Sequence, residues 1–391
     1  MGLNKITYNI NTAGLGTPLT SSDHISGIVY YNDTLPSGFS VTDRVKPVFS
    51  LAEFEALGVI EGSADHAVEW YHVREFFQKQ PQGELWVGYF AEPVGAPDFL
   101  EVQVMQNIAL GTIKQVGVYY IGAAFADAQV GALQAVRDLV DADKKPLSIL
   151  YGGDISAVAT VSSLTDQRLL LAPNVSVCIG QDGAAKGAAL YISKAYSITD
   201  LGAKLGAVAA ANVNESISYE EKFPMVTDGS EFDVAHFANG QNVALLSTAL
   251  IESVDNKGYI FLIKEVGFSN TFNNDSYTSV AVTNDLATIE NNRTIDKAKR
   301  GLNIAITPKL GSPLRVNPDG TLREDVIKTF KSLAGKPLSE MESNGELSAF
   351  EVIISSAQNV VATSTLTMTV KLVPVGVTRE IVINLGFVPK L

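Results

Sequence analysis

Ala362-Thr-Ser-Thr-Leu-Thr-Met-Thr-Val-Lys-Leu-Val-Pro-Val-Gly376 runs directly into Val377-Thr-Arg-Glu-Ile-Val-Ile-Asn-Leu-Gly-Phe387. From Thr365 to Leu372 the residues alternate. Thr365, Thr367, Thr369 and Lys371 fall on one face and Leu366, Met368, Val370 and Leu372 on the other, which predicts a strand with one wetted face. After the Pro374-Val-Gly376 break the alternation resumes, with Ile381, Ile383 and Leu385 on one side and Val382 and Asn384 on the other. Terminal segments fray unless tied down, and an unpaired strand edge recruits another chain. The tail is therefore read as a device for joining subunits. Near the other end, Ile6, Tyr8 and Ile10 alternate with Thr7 and Asn9, and Gly14 and Gly16 follow. This is a short strand on a flexible tether, either an edge strand of its own domain or a second arm that leaves it.

Between these ends lies a chain of globular composition. At 391 residues it is long enough for two or three domains. With 46% hydrophobic and 18% charged residues it has the apolar mass for a core and is not a disordered chain. A net charge of −13 argues against the basic footprint that binds duplex nucleic acid. Cys178 is the only cysteine, so an intrachain disulfide and a thiolate zinc site are both excluded, as suits assembly in a reducing cytoplasm. The N-terminus lacks the apolar run of a signal peptide, and no run of about 18 apolar residues occurs. A soluble protein without membrane insertion is expected.

The body reads as strands and helices in alternation. Strands are expected at Ile25–Tyr31 and Glu84–Phe90, a short helix at 51–58 capped by Ser50 and Gly58, and a longer amphipathic helix from Ser63 through Gln78. From about Glu101 to Val213 the order is strand Val116–Ile121, helix Asp127–Val140, strand Pro146–Tyr151, helix Ile155–Leu164, strand Val175–Ile179 and helix Gly183–Val213. This predicts a mixed α/β region, a parallel or mixed sheet covered by helices. The last of these helices is rich in Gly and Ala, which lets neighbouring backbone approach. Beyond it come a helix Gly240–Ser253, a strand Tyr259–Val266 and a helix from about Asn284 to Asn303 carrying Arg293, Asp296, Lys297, Lys299 and Arg300. Thr321-Leu-Arg-Glu324 reads as a capping box opening a helix that Gly335 closes after Ala334. Its stripe of Val326, Ile327, Phe330 and Leu333 opposes Glu324, Asp325, Lys328 and Lys331. A strand over Glu346–Ala357 then feeds the tail.

Chemistry is sparse. His24, His66, His72 and His236 form no metal-ligand spacing, and neither H-E-x-x-H nor G-x-S-x-G occurs. Ile179-Gly-Gln-Asp-Gly-Ala-Ala-Lys-Gly187 leaves a strand and opens a helix, where free amides could hold a phosphate. The order is wrong for a P-loop, since Lys186 precedes Gly187 and Ala188. A turn with a helix cap and an anion site are the two readings. No catalytic, cofactor or metal residues are assigned.

The last hundred residues also carry a pattern: Asn292-Arg-Thr-Ile-Asp-Lys-Ala298, the helix after Asp319-Gly320, Met341-Glu-Ser-Asn-Gly-Glu-Leu-Ser348, Gln358-Asn-Val-Val361 and Val373-Pro-Val-Gly376-Val-Thr-Arg379-Glu-Ile381. This resembles the contractile tail sheath proteins of phage tails and contractile injection systems. The resemblance implies a structural subunit, not an enzyme and without a cofactor, that polymerises as stacked hexameric rings around an inner tail tube protein and meets baseplate and tail terminator proteins. It implies particles assembled in the bacterial cytoplasm and contraction driven by repacked interfaces. The implied fold is mixed α/β (α+β), with a C-terminal sheath-type domain whose β-sheet is completed by strand exchange between subunits, plus an α/β outer region. The implied division is an N-terminal linker arm (1–20), the N-terminal part of the core (21–100), an α/β outer domain (101–240), a C-terminal core domain (241–376) and a C-terminal linker arm (377–391). Ile6, Tyr8, Ile10, Ile381, Ile383 and Leu385 would link subunits. Glu324, Asp325, Lys328 and Lys331 would face the inner tube; the other reading of these four is a solvated face with Glu324 paired to Lys328. Two further functional classes stay open: a static tail or capsid component, and a nucleotide- or phosphate-binding α/β enzyme.

Overall fold

Strands Ser26–Tyr31 (β1), Val45–Val48 (β2), Leu85–Phe90 (β3), Gln115–Ala124 (β4), Ser148–Asp154 (β5) and Val175–Val177 (β6) build one sheet in the order β2-β3-β1-β4-β5-β6 in a computed structural model that describes residues 21–226, 231–383 and 385–387. All neighbours are parallel except β2, which runs antiparallel to β3 at the edge. Strands buried on both faces read as nearly unbroken apolar runs, and Ile28-Val-Tyr30 and Ile149-Leu-Tyr151 are such runs.

The faces separate by alternation. Gly27 lies under Met105 of helix Glu101–Ile108 (α3), which with Asp127–Ala142 (α4) covers one side. The in-register pair Ile28 and Gly117 points the other way, toward Leu201 and Leu205. There helices Ala67–Lys79 (α2) and Leu201–Ala210 (α6) pack on each other and on the sheet, with Leu51–Ala56 (α1) and Lys186–Lys194 (α5) against α2. One hydrophobic core runs from Ile25 to Ile289, so the sheet passes without a break through the boundary expected at residue 100. Short pairs Gly180–Asp182 (β7) with Ala235–Phe237 (β8), and Leu262–Ile263 (β9) with Phe272–Asn273 (β10), close the body together with Thr248–Asp255 (α7).

Helix Ile289–Ile306 (α8) starts inside this body and leads out of it to Glu324–Ser343 (α9), followed by Leu347–Ile353 (β11), a turn of helix at Val360–Thr363 (α10) and Thr369–Pro374 (β12). β11 and β12 pair antiparallel and have no third strand among the described residues. Two small cores hold the unit: Ala298, Leu338, Met341 and Leu347, and Leu322, Ile327, Phe330 and Ile354.

Several expected elements differ. The span Gly183–Val213 is two helices, because Ala195 adopts a left-handed φ of 58° and Ser197 is pinned to Asp154 and Ile155. The expected helix Ile155–Leu164 is only a 3-10 turn at Val161–Ser163, and the span Gly240–Ser253 holds a 3-10 turn at Val243–Leu245 before its α-helix begins at Thr248. The capping box does not form. Asp319 Oδ1 accepts from both the amide and the hydroxyl of Thr321, at 3.0 and 2.6 Å, so the Asn317–Gly320 turn consumes the side chain and the helix opens at Glu324 without a side-chain cap. Nor does Gly335 end it: the helix continues through Pro337 because Leu338 and Met341 are buried against α8. Tertiary burial outweighs the bond lost at proline.

Candidate functional site

No cluster of His, Cys, Asp or Glu able to hold a metal occurs among the described residues, and no helix there is long and apolar enough to cross a membrane. The strand-to-helix turn at Gly183 is a helix cap. Asp182 is fully buried, and its carboxylate accepts from the amides of Ala184, Ala185 and Gly187 at 2.9–3.1 Å, occupying the donors a phosphate would need. Lys186 turns outward to Glu61 and lies 5.5 Å over the Trp70 ring. Cys178 is buried, and burial pushes its thiol up to about 12, against a smaller opposing effect of Lys204, so it is not a poised nucleophile.

The features that stand out lie where the C-terminal unit joins the body. The charges of α8 are a docking face. Arg137 donates to Asp296 at 2.7 Å, Asn174 to Asn292 at 2.7 Å, and Arg293 to the carbonyls of Ala211 and Asn212 at 3.1 Å. Lys297 bridges Asp23 and Glu346 at 2.6 and 2.5 Å. Burial lowers Arg293 to about 10 and raises the Asp296 carboxyl. Burial also raises Asp23, but the hydrogen bonds from Lys297 and Ser21 outweigh it and leave its carboxyl below the ordinary value. The helix is thereby fixed to the sheet domain by partners from α4, the 174 loop and the 211 loop.

Past Pro374 the described residues belong to no helix or strand and pair with no strand of their own chain among the described residues. Ile381, Ile383 and Leu385 are 76%, 73% and 92% exposed. The tail is held at Arg379, whose Nε donates to Asp275 and whose terminal nitrogen donates to Glu290, both at 2.7 Å. Burial alone would lower the guanidinium's pKa, but these two carboxylates outweigh it and raise it. Sequence reasoning named Arg379 only within a motif. The signal was there: a cation at the head of an apolar alternating tail, three residues past the Pro-Val-Gly break, with buried acids that cannot be located without the fold.

Of the residues expected to link subunits, Ile6, Tyr8 and Ile10 lie outside the described residues. Glu324, Asp325, Lys328 and Lys331 all lie on the exposed face of α9. Glu324 and Lys328 approach to 3.7 Å, and Asp325 pairs with Arg323 at 3.1 Å. Such pairs in water contribute little to stability, so the stripe is available for a partner.

Residues 285–391 match the family described as DUF2586, C-terminal domain. No curated protein matches the sequence. Among solved structures, a chain of the anti-feeding prophage (AFP) baseplate, determined by cryo-EM with six-fold symmetrisation, is 12% identical, with 99% of each chain covered and a TM-score of 0.62. A chain of the PVC extracellular contractile injection system, from its sheath complex in the contracted state, is 13% identical over 99% of this chain and 98% of that one, again with a TM-score of 0.62. Over 99% of its length the chain thus shares its fold with chains of an anti-feeding prophage baseplate and of a contractile injection system.

Proposed function

We propose that this chain is a structural subunit of a contractile tail or injection particle and serves there as the sheath. Copies stack as six-membered rings around an inner tube, and the sheath shortens to drive the tube through a target envelope. The observation that carries the reading is the tail: Ile381, Ile383 and Leu385 alternate in the sequence and are exposed to water, and the β11–β12 sheet has no third strand among the described residues. An apolar strand in one copy and an open sheet edge in another make a head-to-tail contact, which propagates into open helical assemblies. The exposed charges Glu324, Asp325, Lys328 and Lys331 on α9 form the face toward the inner tube. The work comes from interface rearrangement, and the helix cap built by Asp182 leaves no nucleotide cradle at the one turn that suggested it.

A second reading is a baseplate component of the same kind of particle, favoured by the fold shared with the AFP baseplate chain. Electron microscopy of the purified full chain, alone and with its tube protein, separates the two. Long tubes that convert to a shorter, wider form under mild denaturant support the sheath. Closed rings that never elongate support the baseplate. Single copies at high concentration overturn both.

A further inference from the structure

Asp275 and Glu290 are 4% and 2% exposed and lie side by side under the tail. Their inner oxygens are already engaged: Asp275 Oδ1 accepts from the Ser276 amide at 2.7 Å, and Glu290 Oε2 accepts from the Ser276 hydroxyl at 2.6 Å. Their outer oxygens, Asp275 Oδ2 and Glu290 Oε1, are the two that meet Arg379. Two buried carboxylates repel and are costly without a cation between them. A planar guanidinium gives each an N–H from a separate nitrogen held in a fixed fork, where a lysine would have to reach both from one atom. Among the described residues, no other group of the segment 375–387 makes a hydrogen bond or ion pair.

We propose that Asp275 and Glu290 form a built guanidinium socket, and that Arg379 plugged into it is the anchor fixing where the C-terminal arm leaves the body. The inference rests on the reading of the tail as an inter-subunit arm and adds to it a mechanical role. β12 ends at Pro374, which pairs with Leu347 at the mouth of the hairpin. A pull on a bare tail would peel β12 from β11 starting at that pair. Arg379 grips the body first. The five steps from Pro374 to Arg379 span at most roughly 18 Å when fully extended, and a pull applied beyond Arg379 meets α8 and the 275 loop before it reaches the hairpin. A neighbour holding Ile381–Leu385 then pulls on the body rather than on a two-stranded sheet.

Trypsin tests this on the full-length, unassembled chain, because the anchor residue is itself a cleavage site. Asp275→Asn with Glu290→Gln keeps the shape and polar groups of the socket, removes its charge and leaves Arg379 in place. Cleavage between Arg379 and Glu380, followed by mass spectrometry, is expected to accelerate by about tenfold or more, with either single change giving an intermediate rate. Thermal unfolding shows whether each variant is folded, and if the double variant is not, Asp275→Asn alone supplies the comparison. Equal cleavage rates in wild type and the folded variants overturn the socket. If cleavage responds as expected but the wild type never forms tubes, the socket stands and the arm's partnering role falls. If tubes form and cleavage is unchanged, the socket alone falls.

Discussion

His72 lies on α2 beneath the sheet, fully buried among Tyr30, Tyr71 and Tyr119, with its ring nearly parallel to that of Tyr30 and edge-on to Tyr119 at 4.6 Å between centroids. Its Nε2 is 2.9 Å from the Thr199 carbonyl, which only accepts, so Nε2 carries the hydrogen and Nδ1 is left without a partner. Burial drives the imidazole from 6.5 down to about 4, against a smaller opposing effect of the Thr199 bond. Between these values the unfolded chain binds a proton that the folded chain refuses, so stability rises with pH across the window. It is fully present above about pH 6.5 and is lost as pH falls toward 4. At roughly 1.4 kcal/mol per pH unit, His72 alone accounts for about 3 kcal/mol of acid destabilisation. Urea denaturation at pH 7, 5 and 4 should show this slope in the wild type and a flatter one in His72→Gln, whose amide can still donate to Thr199. Parallel slopes would place the acid sensitivity elsewhere. The six-residue spacing of His66 and His72 indicates two helix faces, but not that both faces are covered. Both histidines are in fact buried, because α2 is packed between the sheet and three other helices.

At the scale of elements, the glycines of α6 are explained by α2, not by the sheet. A Cβ on Gly202 would sit 2.1 Å from the His72 carbonyl oxygen, and one on Gly206 2.7 Å from that of Phe76. Backbone cannot step aside as a side chain can, so Gly202→Ala should cost about 1–3 kcal/mol or more by prising the two helices apart. Gly131, exposed on α4 with nothing near its Cβ position, is the internal control. There alanine should gain about 0.5–1 kcal/mol through helix propensity and a less flexible unfolded chain. Chemical denaturation of the two variants reads both signs; a neutral Gly202→Ala would mean that the helices do not meet this closely. Composition thus reveals close approach without naming the partner. The strand Val116–Ile121 and the amphipathic pattern of α4 were legible in the sequence, since a short apolar run and a helical period are local signals. The antiparallel edge strand Val45-Lys-Pro-Val48 was not, being four residues long and carrying a proline that only an edge tolerates. The ends of α9 were misread for a related reason. Thr321 had a stronger local partner in Asp319, and Gly335 and Pro337 were held helical by burial that only the fold reveals.

For the whole molecule the question is what would hold one copy to the next in the proposed sheath, and magnitudes decide it. A main-chain hydrogen bond nets only about 1 kcal/mol, while fixing each arm residue costs about 1–2 kcal/mol of backbone entropy. Strand pairing by itself therefore leaves an arm unbound. In the proposed lattice, burying Ile381, Ile383 and Leu385 would contribute about 1.5–3 kcal/mol per side chain, enough to tip the balance, and with every copy both giving and receiving an arm the gain would repeat. In the single copy these three side chains face water and support no core. The triple change Ile381→Thr, Ile383→Thr and Leu385→Thr keeps β-branched or β-tolerant residues on the backbone while removing the apolar surface. It should leave the unfolding free energy of the monomer within about 0.5 kcal/mol of wild type, as surface changes usually do, yet abolish tubes in sedimentation and electron microscopy. Normal tubes from this variant would mean that the arms do not carry the lattice. A large loss of monomer stability would mean instead that the tail folds back onto its own body.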